Sequence, residues 1–202
     1  MTQRKTTAMQ TIQDINVIDL ILLDHQYLKE CIEVLTDENA DKKKKIPVAK
    51  GFLEELSKHS NAEKRAIYKP LESNEELHFN ILESEIEHGI VDQKVKLLKP
   101  KLTRIRILQD EVEAELKVLA ELVQNHIKEE ESEMIPKMKE EVDDQTLMEM
   151  GVKFMKLRKF SSSDLHDFPQ LQDELVQWKD SVQKISSQFL TKMDKYVENL
   201  KH

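Results

Sequence analysis

Glycine, proline and aromatic residues are scarce in this sequence: 3 Gly, 5 Pro and 5% aromatics among 202 residues. Sheets need frequent turns and a supply of aromatic or β-branched side chains, so a β-rich architecture is excluded and long helices remain. A single cysteine, Cys31, excludes an internal disulfide and any Cys-Cys redox pair. It suits a reducing, cytoplasmic setting and is read as a core residue. Long apolar runs are also missing. The opening MTQRKTTAMQ is polar, and the stretch after it is broken by Asp14, Asp19 and Asp24. We read neither a signal peptide nor a membrane helix. Basic charge is in deficit, with a net charge of −8. That balance argues against nucleic acid or an anionic membrane as partner. The one local basic run, DKKKK at 41–45, is read as a solvated inter-helix loop.

What is present is charge, 35% of the chain, set around apolar stripes with helical spacing. Pro47, Pro70, Pro100, Pro136 and Pro169 punctuate these stripes at or near expected helix ends. The first helix is expected over 12–38, with Ile18, Leu22, His25, Leu28, Ile32 and Leu35 on one face. The second is expected over 47–70, with Phe52, Leu56, His59, Glu63 and Ile67. The third begins near 75 and carries Leu77, Ile81, His88, Val91, Val95 and Leu98. The fourth ends near 141 and carries Val112, Leu116, Leu119, Val123, His126, Glu130 and Met134. Between the last two, either the third helix kinks at Pro100 and runs on, with Asp110 and Glu113 capping the fourth, or Pro100 starts the fourth. The expected fold is all-α: an up-down-up-down four-helix bundle over 12–145, a flexible start at 1–11 and a helical extension over 146–202.

Polar residues intrude on every stripe where leucine would serve: His25, His59, Glu63, His88, His126 and Glu130. In an antiparallel arrangement, at about 1.5 Å of rise per residue, His25 and His59 both stand roughly 18–20 Å from their connecting loop. His59 and His88 are likewise equidistant from the turn at 73–74. His59 and Glu63, and His126 and Glu130, are each four apart and share a helix face. Four imidazoles and two carboxylates thus meet at one level of an apolar interior. Buried charge requires compensation, and a cation supplies it. Nitrogen and oxygen donors without thiolate suit Fe, Zn, Mn or Co. Six ligands exceed one tetrahedral zinc, so two metals fit better, with Glu63 and Glu130 bridging from opposite walls. A ferritin-like site needs Glu-x-x-His twice. Glu85 and His88 supply it once, but Val123 stands three before His126.

These residues, in this order and spacing, with IYKP and MIP trailing the two His-x-x-x-Glu pairs, resemble the hemerythrin-like HHE cation-binding family over about 15–145. The resemblance implies a four-helix bundle around a carboxylate-bridged non-haem di-iron centre. Oxygen carriers of that family have a second histidine four residues from the first on the third helix, where this chain has Ser84 and Asp92. The four-His, two-Glu set is more similar to the iron-sulfur repair and nitric-oxide-response members, without their small Cys-bearing N-terminal domain. Tyr27, Tyr68, Glu87 and Asp92 are candidate outer partners; His78, His166 and His202 are read as surface residues. Gly89 beside His88 either relieves packing or opens access for a ligand.

In the tail, Leu171, Leu175, Trp178, Val182, Ile185, Phe189, Met193, Tyr196 and Leu200 form another 3–4 spaced stripe. It is expected to dock on the bundle, to form a homodimer seam or to bind a protein partner. Three functions follow as expectations. The first is a di-iron protein that binds or reacts with O2, NO or peroxide in stress or iron homeostasis. The second is an iron-responsive module acting through its C-terminal helix without turnover. The third is a metal-free scaffold.

Overall fold

The computed structural model describes residues 16–103 and 105–158. The start expected to be flexible (1–11), the stripe at 171–200, His166 and His202 lie outside them. Every regular element among the described residues is helical. Helix α1 (Val17–Thr36) opens on a reciprocal cap: the Asn16 side chain accepts from the Ile18 and Asp19 amides, and the Asp19 carboxylate accepts from the Asn16 amide. Helix α2 spans Lys42–Glu63 and continues through a π-helical turn, Lys64–Tyr68, into the short α3, Lys69–Leu71. Helix α4 spans His78–Leu102. Helix α5, Asp110–Glu129, continues through a second π turn, Glu130–Met134, into α6, Ile135–Glu141. Helix α7 covers Asp144–Arg158.

The four long rods pack in a ring, α1 on α2, α2 on α4, α4 on α5 and α5 on α1, while α7 lies across α1 and α2. Cross-links show the directions of neighbours. Lys64 meets Asp92 and Lys99 meets Ser57 between α2 and α4. Lys101 meets Glu115 between α4 and α5, and the His88–His126 contact lies further along the same pair. In each pair, residue numbers rise along one helix as they fall along its neighbour.

Two apolar clusters fill the interior. One gathers Leu28, Phe52, Leu98 and Leu119 among others; the second gathers Ile18, Ile67, Leu77, Met138 and Phe154. The six polar intruders occupy the level between them. The apolar positions expected to face inward on the four stripes are buried with one exception: Leu22 is 38% exposed.

Several sequence expectations are corrected. DKKKK is not a loop. Asp41 caps α2 through the Lys43 amide, and Lys42 to Lys45 form the first turn. A basic first turn opposes the helix dipole. Here Glu113 of α5 accepts from Lys42 and Lys45 and compensates; Lys45 is buried. Pro47 therefore lies inside α2 rather than at its end. Pro100 neither starts a helix nor lets α4 run on, since α4 stops at Leu102. Asp110 is the first residue of α5 and not its cap; Gln109 holds that position, and Asp110 pairs with Lys42.

Pro70 and Pro136 each follow a π turn by one residue beyond its exit. The Lys69 amide reaches back five residues to the Lys64 carbonyl, and the Ile135 amide reaches back to Glu130. In an α-helix a proline ring presses on the carbonyl four residues earlier, and the wider turn gives it room. The recurrent proline thus marks an inserted residue in each wall of the centre.

Candidate metal centre

Glu63 is the last residue of α2 before the first π turn, and Glu130 is the first residue of the second. His59 and His126 stand one turn earlier on the same faces. His25 comes from α1 and His88 from α4. All six predicted residues converge, and none is more than 4% exposed. His25 Nε2 lies 3.2 Å from Glu130 Oε2, and His126 Nε2 lies 3.5 Å from the same oxygen. His59 Nε2 lies 3.0 Å from Glu63 Oε2, and His88 Nε2 lies 3.4 Å from it. The Nε2 atoms of His88 and His126 face each other at 3.0 Å.

These atoms are poorly served by one another. His25 Nε2, His59 Nε2, both Glu63 oxygens and Glu130 Oε2 have no hydrogen-bond partner although fully buried. Such orphaned groups are costly in a core. A cation held at about 2.0–2.2 Å by nitrogen and oxygen places neighbouring donors roughly 2.9–3.5 Å apart, as these are. Two overlapping sets could each hold a metal ion: His25, His59, Glu63 and Glu130, and Glu63, His88 and His126. Glu63 belongs to both, and Glu130 faces a histidine of each.

The outer ring nitrogens are held by carboxylates. His59 Nδ1 faces Asp24 Oδ2 at 3.2 Å, His25 Nδ1 faces Glu131 Oε1 at 3.0 Å, and His126 Nδ1 faces Glu87 Oε2 at 2.6 Å. A carboxylate there fixes the ring's tautomer and turns Nε2 inward as the ligand atom. His88 Nδ1 has no such partner. Tyr68, delivered by the first π turn, donates to Glu130 Oε1 at 2.6 Å. Of the four expected outer partners, Tyr68 and Glu87 serve. Asp92 pairs instead with Lys64, and Tyr27 lies against Cys31. Asp24, Glu131 and Arg158 were not foreseen. His78 is exposed, as expected, with Nδ1 near the Glu72 carbonyl.

Three of the four imidazoles are held toward their charged form and the fourth is not. Burial lowers the pKa of His59, but the Glu63 and Asp24 carboxylates outweigh it and hold it at about 10. At His126 burial is outweighed by Glu130 and Glu87, which lift it to about 9. His25 is raised against burial by Glu130 and Glu131. His88 moves well below the ordinary value through burial and then the neighbouring His126. Burial would raise the Glu130 carboxyl, yet His126 and His25 hold it below the usual range.

Beside the centre a cavity of about 280 Å³ reaches His126 and Glu130, lined also by Glu83, Ser84, Glu87, Glu129 and Met134. On the other side Phe154 of α7 sets its ring edge-on to His59, with centroids 6.3 Å apart. Gly89 is not a packing relief, because a Cβ there would meet nothing within 4 Å.

A model of the hemerythrin HHE cation-binding domain matches residues 16–138. The chain belongs to the hemerythrin HHE cation-binding family. Searches of curated proteins and of solved structures gave no match. All six convergent residues of this HHE domain fall inside the matched span; α7 lies outside it. Among the described residues no helix is long and apolar enough to cross a membrane.

Proposed function

We propose that this HHE domain holds two iron ions bridged by Glu63 and Glu130, and that it binds or reacts with a small diatomic or peroxide in stress or iron homeostasis. The observation that carries the reading is the shell of orphaned, buried Nε2 and carboxylate oxygens, spaced as ligands sharing ions are. His25 and His59 would serve one ion and His88 and His126 the other; Zn or Mn would suit the same donors. Iron so bound would supply a Lewis-acidic open position and accessible redox states. The chain's own residues do the rest. Glu87 and Asp24 keep His126 and His59 aimed inward, Tyr68 offers a proton at Glu130 Oε1, and the cavity admits a small molecule at His126.

A second reading is an iron-responsive module that signals through its C-terminal segment, by homodimerisation or a protein partner, without turnover. It is favoured by the packing of α7 against the centre at His59. Elemental analysis of purified protein, with absorption spectra before and after O2, NO or peroxide, tests both. Two irons per chain with near-ultraviolet bands that respond to the added molecule are expected. Turnover selects the first reading; a partner lost on truncation after about residue 165, without turnover, selects the second. A purified chain that takes up no metal under any loading condition sinks both.

A further inference from the structure

The wall that α7 closes carries a residue beyond the matched span. Arg158, the last residue of α7, is 1% exposed. Its Nε donates to Asp24 Oδ2 at 2.5 Å, and its Nη2 donates to Asp24 Oδ1 at 3.0 Å. Nη2 also pairs with Glu55 Oε2 at 2.7 Å. Asp24, equally buried, turns that same Oδ2 to His59 Nδ1, and His59 Nε2 faces Glu63. A relay of buried polar groups therefore runs from α7 to the middle of the bundle.

We propose that Arg158 is a positioning residue for the metal centre: it fixes the Asp24 carboxylate and, through it, the ring plane and tautomer of His59. This rests on the metal-centre reading above. The guanidinium fork engages both Asp24 oxygens and so fixes the carboxylate plane. Asp24 Oδ2 then has one lone pair left, with which it accepts the His59 Nδ1–H, and Nε2 is left as the inward acceptor. Without the fork, Asp24 is a buried carboxylate facing a single imidazole and is free to turn. A lysine would restore charge at one point but not the plane.

The other histidines give a comparison. His25 repeats the order imidazole, carboxylate, cation through Glu131 and Lys29, but Lys29 is 44% exposed and sits on the same helix as His25. His126 has its carboxylate, Glu87, from the adjoining α4. Arg158 comes from a helix outside the ring of four, and residues 159–202 continue directly from it. The hold on His59 therefore depends on where α7 sits, which joins the C-terminal part of the chain to the metal site.

The test is a Co2+ titration of the full-length, metal-stripped chain, followed by visible absorption. Arg158→Ala is expected to weaken one of two binding steps by about 10–100-fold. Arg158→Lys should recover part of that loss and alone carries the test where the alanine variant fails to fold; wild-type affinity in it overturns the proposal. Leu98→Ala is the control, since Leu98 is buried on α4 in the apolar cluster away from α7. It should lower the melting temperature and leave both Co2+ steps in place. Equal affinity in wild type and Arg158→Ala overturns the proposal, and so does a loss in Leu98→Ala as large as in Arg158→Ala. A wild-type chain that binds no Co2+ overturns the centre itself and this proposal with it.

Discussion

At the scale of single residues, the six convergent side chains differ sharply from their polar neighbours. Glu63 and His126 each lie within reach of several inward donors, whereas His78 is exposed. Glu63→Ala or His126→Ala should therefore lower metal content, while His78→Ala should not; elemental analysis of the three variants decides it. The pH response of the metal-free chain follows from the raised imidazoles. A folded-state pKa above the ordinary 6.5 contributes stability that is fully present below about 6.5 and lost as pH climbs through about 9 at His126 and about 10 at His59. The melting temperature of the metal-free chain should fall over that range, and less steeply in His59→Ala. Metal affinity should rise over the same interval, because an ion must displace those protons. The six were legible in the sequence because each interrupts an apolar stripe. Asp24 and Arg158 were not, since they stand 134 positions apart and a salt bridge across that distance leaves no local pattern.

At the scale of the element, helix existence was legible and helix ends were less so. Pro47 is read from sequence as the start of the second helix and Pro100 as a kink or a start, yet Pro47 lies inside α2 and Pro100 in the last turn of α4, where each removes one amide donor. The π turns were written only as a recurring proline after an apolar pair. Helix α7 was legible only as the start of a helical extension, because its apolar residues, Leu147, Met150 and Phe154, gain meaning only against α1 and the first π turn. Two glycines test how these rods pack. Gly89→Ala has open space at Cβ and should gain up to about 1 kcal/mol from helix propensity. Gly151 instead lies against the Val17 amide nitrogen, 3.1 Å from where a Cβ would stand, with the Asn16 carbonyl carbon at 3.2 Å. Gly151→Ala must push α7 away from backbone that cannot yield, so it should be destabilising despite the same gain in propensity. Urea unfolding of both variants checks the opposite signs.

At the scale of the whole molecule, a polar layer divides one interior into two apolar halves. That division is costly unless the layer is satisfied, and bound metal satisfies it. Adding Fe2+ or Co2+ to the metal-free chain should raise its melting temperature in a concentration-dependent way, and a chelator should reverse the gain. A midpoint indifferent to metal would argue for a scaffold whose imidazoles are charged by protons alone.

The lopsided surroundings of the centre have a kinetic consequence. Glu130 and His126 border open space, while His59 lies beneath an aromatic lid and a buried guanidinium. Two ions lodged there would experience different exits, one beside solvent and one behind a closed door. Stopped-flow stripping with an excess of competitor should then proceed in a quick first half and a slow second half.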